Sequence, residues 1–183
     1  MRVIAGSARG TKLFSPEGNA IRPTLDRVRE ALFNMLGPSL EDARFLDLFA
    51  GTGANGIEAL SRGAAECVFV DLSRDAHRIQ RENLLKTRLA ADAQTLTLEL
   101  PRDIARIPGD FDLIFADPPY DYAHYPALLE AAGQRLLRPG GSFVIEHQRR
   151  VELPDNAGGL VRTKFKHYGD VALSVYEHPE SAG

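Results

Sequence analysis

The sequence predicts an α/β fold built on a mostly parallel sheet, and three observations predict it. Short apolar runs alternate with helix-periodic runs from residue 44 to residue 147, the pattern of βαβ units that cover both faces of a parallel sheet. The first apolar run passes into a glycine-rich stretch, "AGTGANG" at 50–56, that opens a helix. The last two apolar runs, 160–168 and 171–178, are separated only by Gly169-Asp170, so they read as an antiparallel hairpin on the sheet edge.

Each element has a local reason. Residues 2–14 read as a small β-hairpin, because Val3-Ile4-Ala5 and the run from Thr11 to Phe14 flank the loop "GSARG". "SPEGNAIRP" follows as loop. The stretch 24–36, "TLDRVREALFNML", is a helix in which Leu25, Val28, Leu32, Met35 and Leu36 recur at helical spacing. Thr24 is placed to cap it and Gly37-Pro38 to end it. "FLDLFA" is the first strand, "ANGIEALSRG" a helix ended by Gly63, and "ECVFVDL" the second strand. "RDAHRIQRENLLKTRL" is a helix, "TLTLEL" the third strand and "FDLIFAD" the fourth. "YPALLEAAGQRLL" is a helix stopped by "RPGG", and "SFVIEH" is the fifth strand. With the terminal pair the sheet has seven strands. Residues 1–38 are expected as an extension, 39–178 as the main domain and 179–183 as a frayed tail.

Composition narrows the class. The 183 residues suit one domain with a small appendage, and 44% hydrophobic residues are enough for a core. No apolar run approaches a membrane span, and "MRVIAGSARG" has no secretion-type apolar stretch. The single cysteine, Cys67, lies in "CVFV" and reads as a buried small hydrophobe. His77, His124, His167 and His178 lack metal spacing, so no metal site is expected. These features point to a cytoplasmic protein. Net charge is −3, yet residues 1–29 hold six bases (Arg2, Arg9, Lys12, Arg22, Arg27, Arg29) against Glu17 and Asp26. A basic arm on an acidic body suits a localised anionic partner, or is a solvated surface hairpin.

Two motifs carry chemistry. Gly51, Gly53 and Gly56 follow a strand in G-x-G-x-x-G spacing and let a ligand approach the backbone at a helix amino terminus. Asp71 ends the second strand, 20 residues after Gly51, where an acid takes ribose hydroxyls. Such a site suits NAD or another adenosine cofactor. Asp47, on the strand before the loop, would repel a pyrophosphate and suits a cationic ligand such as the ammonium of S-adenosylmethionine. As structural roles, Asp47 could cap a turn and Asp71 a helix. The second motif, "FADPPY" at 115–120, ends the fourth strand. Two prolines cannot continue a central strand, so Asp117 and Tyr120 stand on a stiff turn at the carboxyl edge, where open α/β sheets bind ligands.

"DLFAGTG", the acid at 71, "FADPPY", the opening "RVIAGSARGTKL…RPTLDRVREALFNML" and the closing "YGD" at 168–170 together resemble the RsmD family, bacterial 16S rRNA (guanine-N2)-methyltransferases. The resemblance implies a Rossmann-like class I S-adenosylmethionine-dependent methyltransferase with an antiparallel carboxyl-terminal hairpin. It implies S-adenosyl-L-methionine as donor, with S-adenosyl-L-homocysteine as product, and a guanine of 16S rRNA as acceptor. Donor contacts would fall to Asp47, Phe49, Gly51, Thr52, Gly53, Asp71 and Leu72. Asp103 would reach the adenine amino group, although this chain reads Pro101-Arg102-Asp103-Ile104 where the family has Gly-Asp-Ala. Asn55 also departs from the family's Leu. Arg9, Lys12, Arg22, Thr24 and Arg27 would contact RNA, and the enzyme would act as a monomer on a small-subunit particle, away from membranes.

Asp117, Pro118, Pro119 and Tyr120 are the expected catalytic group. A base's exocyclic amine is a poor nucleophile, because its lone pair is delocalised into the ring. The Asp117 carboxylate and the Pro118 carbonyl, placed in the amine's hydrogen-bonding directions, favour a pyramidal nitrogen. Tyr120 stacks on the base, which must leave its own stack to enter. Glu146 and His147 end the fifth strand near this edge, in a site or a supporting role. Competing readings are a DNA adenine-N6 or protein-glutamine methyltransferase with the same turn, or a non-catalytic RNA-binding assembly factor. The first usually needs a separate recognition domain, the second characteristically has Asn at the place of Asp117, and the third predicts loss of the donor-site acids.

Overall fold

Two compact units make up the chain, Met1–Thr97 and Leu98–Gly183. The computed structural model describes residues 1–16, 23–37 and 40–179. The expected loop at 17–22 with Arg22, the stop at Pro38 and the tail at 180–183 lie outside the described residues.

In the first unit, strands β1 (Arg44–Leu48), β2 (Glu66–Asp71) and β3 (Ala93–Thr97) pair in parallel in the order β3-β2-β1. Phe45 stands opposite Cys67, and Cys67 opposite Ala93. Helices α1 (Pro23–Leu36), α2 (Ala54–Ser61) and α3 (Arg74–Thr87) accompany them. The interiors of β1 and β2 are mostly apolar because both their faces are covered, with Asp47 the exception on β1. Phe45, Leu46, Leu48, Phe69 and Val70 are fully buried, and each such side chain contributes roughly 1.5–3 kcal/mol. Cys67 is fully buried among them, as expected of a small hydrophobe, and burial pushes its thiol pKa well up. Ser73 caps α3 by accepting from the Ala76 N–H at 3.2 Å. The third strand begins two residues earlier than expected and ends at Thr97, because its partner β2 ends at Asp71 opposite it.

The amino terminus forms the expected hairpin in a short version. Arg2 and Lys12 pair in an antiparallel bridge, with Val3 N–H donating to the Thr11 carbonyl (3.0 Å) and Leu13 N–H to the Met1 carbonyl (2.9 Å), and side chains of α2 and α3 hold the segment further. The fully buried Glu58 accepts from Ile4 N (2.8 Å) and Ala5 N (3.0 Å), and Ser61 Oγ accepts from Ala8 N (2.9 Å). The Asn83 side chain clamps both the N–H (2.7 Å) and the carbonyl (3.1 Å) of Phe14. α1 starts at Pro23, so Thr24 stands inside its first turn and not at its cap. Arg29 is not part of a basic surface. It is buried and paired with Asp26 at 2.9 Å.

In the second unit, strands β4 (Phe111–Ala116) and β5 (Leu137–Gln148) pair in parallel. β8 (Val171–Glu177) then pairs antiparallel with β5 and with β7 (Leu160–Tyr168), confirming the terminal hairpin. β6 (Asn156–Ala157) adds two residues at the edge and was not expected, so the described residues carry eight strands, not seven. Helix α4 (Tyr125–Arg135) opens with Pro126 in its first turn. The "RPGG" expected to end this helix belongs to β5. Its register jumps from Phe111↔Leu137 to Leu113↔Ser142, so these residues bulge within the strand.

Candidate active site

The glycine loop is built by the first unit alone. β1 delivers Asp47, which is 1% exposed and accepts from the Gly56 N–H at 2.9 Å, tying the strand to the start of α2. Gly56 is required by close approach, since a Cβ there would come within 2.3 Å of the Phe69 ring. Gly51 is the opposite case, because a Cβ would meet nothing within 4 Å. The space beside Gly51 is therefore open. Asp71, at the end of β2, accepts from Gly51 N with one oxygen and from Ser73 N with the other, both at 2.9 Å. Each carboxylate oxygen keeps a further lone pair, so ribose hydroxyls can still be taken. Phe49 has positive φ (59°), Thr52 lies in the turn, Gly53 is the first residue before α2, and Leu72 is 61% exposed.

Two residues that the sequence reading missed hold this loop. Gln80 Nε2 donates to the Gly51 carbonyl (2.8 Å) and Asn83 Nδ2 to the Thr52 carbonyl (3.0 Å). Both are fully buried on α3. Their signal was present in the sequence: Gln80, Asn83 and Thr87 sit at helical spacing on the same stripe as Ile79 and Leu84, where apolar residues are expected. His77 completes the set, its Nδ1 bonding Gln80 Oε1 (3.1 Å) and its Nε2 the Asp71 carbonyl (2.9 Å).

The "DPPY" turn is built by the second unit alone. Ala116 pairs with Ile145 in parallel register, so Asp117 and Glu146 come next in step on one face. Gln148, two residues on and on that face, donates to the Tyr120 carbonyl at 2.6 Å and so ties the turn to β5. The Tyr122 N–H donates to the Pro119 carbonyl (3.0 Å) and closes the turn behind it. Neither Asp117 nor Glu146 has an ion pair among the described residues. Burial and the charge of Asp117 push the Glu146 carboxyl up to about 8. Burial raises Asp117 to about 6. Asp117 keeps an exposed surface, so water screens part of this effect, whereas Glu146 is half-buried.

Tyr120 is 76% exposed. Arg150 stands over its ring at 5.5 Å and donates to its hydroxyl at 3.0 Å. A cavity of about 460 Å³ is lined by Tyr120, Gln148, Arg149, Arg150 and Asp170. Asp103 also belongs to this unit. Its carboxylate accepts from Glu99 N (3.0 Å) and lies beside Arg102, and these hold its pKa below the usual carboxylate range. Among the basic residues singled out, Arg9 and Arg27 line one cavity with Arg2, together with Asp26 and Glu30, and Lys12 is exposed opposite Arg2. No group of described residues could hold a metal ion, and no described helix is long and apolar enough to cross a membrane.

Comparison with known proteins places this geometry. The solved structure of yhhF from Escherichia coli superposes with a TM-score of 0.87 at 32% identity, covering 99% of each chain. YlbH of Bacillus subtilis is 41% identical over 181 residues, covering 97% of this chain and 98% of the relative. The Haemophilus influenzae protein named ribosomal RNA small subunit methyltransferase D is 36% identical over 184 residues, 97% and 94% covered. The fold is that of the Rossmann-like methyltransferases, α/β with parallel strands and an antiparallel carboxyl-terminal hairpin. Residues 1–177 match the family described as Conserved hypothetical protein 95. The chain belongs to this family, the RsmD family.

Proposed function

We propose that this protein transfers a methyl group from S-adenosylmethionine to the exocyclic N2 amine of a guanine in 16S rRNA. The observation that carries this reading is the turn of Asp117 to Tyr120, a carboxylate and an exposed ring on a rigid strand end, with a second acid in step beside it and no ion pair to either among the described residues. The relatives named as small-subunit rRNA methyltransferases support the class of substrate.

The residues present fit the donor. The open space over Gly51 admits a ligand against the backbone, and the spare lone pairs of Asp71 suit ribose hydroxyls. Asp47 supplies negative charge under the loop, which suits a cationic amino-acid moiety. When bound, the sulfonium supplies an electrophilic methyl group. Asp117 and the Pro118 carbonyl accept the two amine N–H groups and so free the nitrogen lone pair from the ring. Pro118 and Pro119 fix the position of that carbonyl. Tyr120 holds the base by stacking, and Arg150 orients the tyrosine ring. Orientation of this kind lowers barriers by roughly 7–11 kcal/mol in good cases. The methylated amine is acidic as an ammonium and loses its proton readily to water, so neither Asp117 nor Glu146 has to act as a strong base. Glu146, neutral near pH 7, places no second negative charge beside Asp117.

Residues 1–38 serve, in this reading, as the RNA-binding extension, with Arg9, Lys12, Arg22, Thr24 and Arg27 contacting phosphates. The protein works as a cytoplasmic monomer on the rRNA of a small-subunit particle. Transfer of labelled methyl from S-adenosylmethionine to small subunits of a strain lacking the gene tests the reading. Label in 16S rRNA is expected, and label in DNA or protein alone would overturn it.

A further inference from the structure

We infer that the outer part of β7 is a second RNA-contact surface, a stacking and phosphate-binding platform for single-stranded RNA that flanks the target base; this rests on the rRNA reading above. β6 pairs only with Leu160 and Val161, and the Arg162 N–H is taken by the Asp155 carbonyl (2.8 Å). From Thr163 to His167 the strand is therefore an open edge among the described residues. Edge strands commonly carry lysine to prevent pairing with other chains, and Lys164 and Lys166 could do that alone. Phe165 argues for more. It is 46% exposed between the two lysines, and an exposed aromatic ring on an open edge works against protection.

Its surroundings are organised as a platform. His147 backs the Phe165 ring with centroids 6.1 Å apart, and His167 flanks it at 6.4 Å. His147 is itself locked, bonding the Gln148 carbonyl (2.8 Å) and Ser174 Oγ (2.9 Å). The Arg162 guanidinium stands 5.8 Å from the Phe165 centroid and is held by Asp155 at 2.5 Å. Aromatic rings and guanidinium planes are the groups on which unpaired RNA bases stack. Neither Lys164 nor Lys166 forms an ion pair among the described residues, so both ammonium groups remain for phosphate. The rings continue from His147 to Tyr125 at 6.4 Å and from Tyr125 to Tyr122 at 5.1 Å, which leads within the same unit to the residues just after the "DPPY" turn. The platform thus lies on the same unit as the turn expected to hold the base.

The test is fluorescence anisotropy of a labelled single-stranded oligoribonucleotide across a salt series, with calorimetry of S-adenosylmethionine as a control for folding. Phe165→Ala with His167→Ala is expected to weaken RNA binding by about tenfold or more. Lys164→Ala with Lys166→Ala is expected to flatten the salt slope by ~1.4 units. Lys164→Glu with Lys166→Glu separates the two roles of the lysines. A glutamate keeps the edge charged, so pure edge protection predicts unchanged RNA affinity, and the platform predicts a loss larger than that of the alanine pair. Unchanged RNA binding in the aromatic pair and in the glutamate pair, with donor affinity intact, overturns the platform. If wild type transfers methyl to 16S rRNA in that case, the enzymatic reading stands and the platform alone falls. If wild type transfers none while the variants lose RNA binding, the platform stands and the enzymatic reading falls.

Discussion

The glycine loop and the "DPPY" turn both close strands with a carboxylate, yet their electrostatics differ. In the loop, Asp47 and Asp71 are each satisfied by backbone N–H groups, and buried amides of α3 hold the loop carbonyls from behind. In the turn, burial pushes both Asp117 and Glu146 above their ordinary range, and the charge of Asp117 raises Glu146 further. A saturated network specifies one shape and suits a holder of ligand. An unsaturated acidic pair is ready to accept hydrogen bonds from a substrate and suits the reacting centre.

The largest expected effect comes from breaking the unsaturated side. Asp117→Ala should lower methyl transfer by ~10²–10³ while donor affinity by calorimetry stays within a few-fold. Unchanged turnover in this variant would move the chemistry elsewhere.

Breaking the saturated side should act on stability first. Asn83→Ala leaves the Phe14 N–H and the Thr52 carbonyl without their partner and should cost ~1–3 kcal/mol in urea unfolding. Because the amide joins the amino-terminal segment to the loop, donor affinity should fall with it. A stable variant with normal donor affinity would show that the clamp is dispensable. Asp71→Ala should weaken S-adenosylmethionine by several-fold, with part of that loss coming from the freed Gly51 N–H.

The pH dependence sharpens the comparison. Glu146 has its pKa raised on folding, so its contribution to stability is present below the ordinary glutamate range near 4.5 and is lost as pH rises through about 8. Urea midpoints of wild type should therefore fall between about pH 5 and pH 9. Glu146→Gln, neutral at every pH, should flatten the upper part of that fall. Equal slopes in the two proteins would mean that Glu146 is already ionised in the folded state.

Much of this contrast was legible in the sequence, and the reasons are local. Glycine spacing, a strand-ending Pro-Pro and apolar alternation each act over a few residues, so the loop, the turn and the terminal hairpin were readable. The supports of the loop were not, since Gln80 and Asn83 act on chain 29 and 31 residues away, and only their polarity on an apolar stripe marked them. The supports of the amino-terminal hairpin were hidden for a related reason: Glu58 and Ser61 bond its backbone N–H groups from positions 53 or 54 residues away. The basic arm was overcounted because Arg29 looks like its neighbours in sequence but is buried against Asp26.

The smallest expected effect is at the tyrosine hydroxyl. Tyr120→Phe removes only the bond from Arg150 and keeps the ring, so RNA use should fall by less than about threefold, against about tenfold or more for Tyr120→Ala. Equal damage in both would make the hydroxyl, not stacking, the important group.

The central claim is that the turn methylates the N2 amine of an rRNA guanine, and nucleoside mass spectrometry of 16S rRNA tests it most directly. Small subunits from a strain lacking the gene should gain one N2-methylguanosine when incubated with wild-type protein and S-adenosylmethionine, and none with Asp117→Ala. A methyl group found on adenine N6, or on any other position with guanine N2 unmodified, would contradict the account.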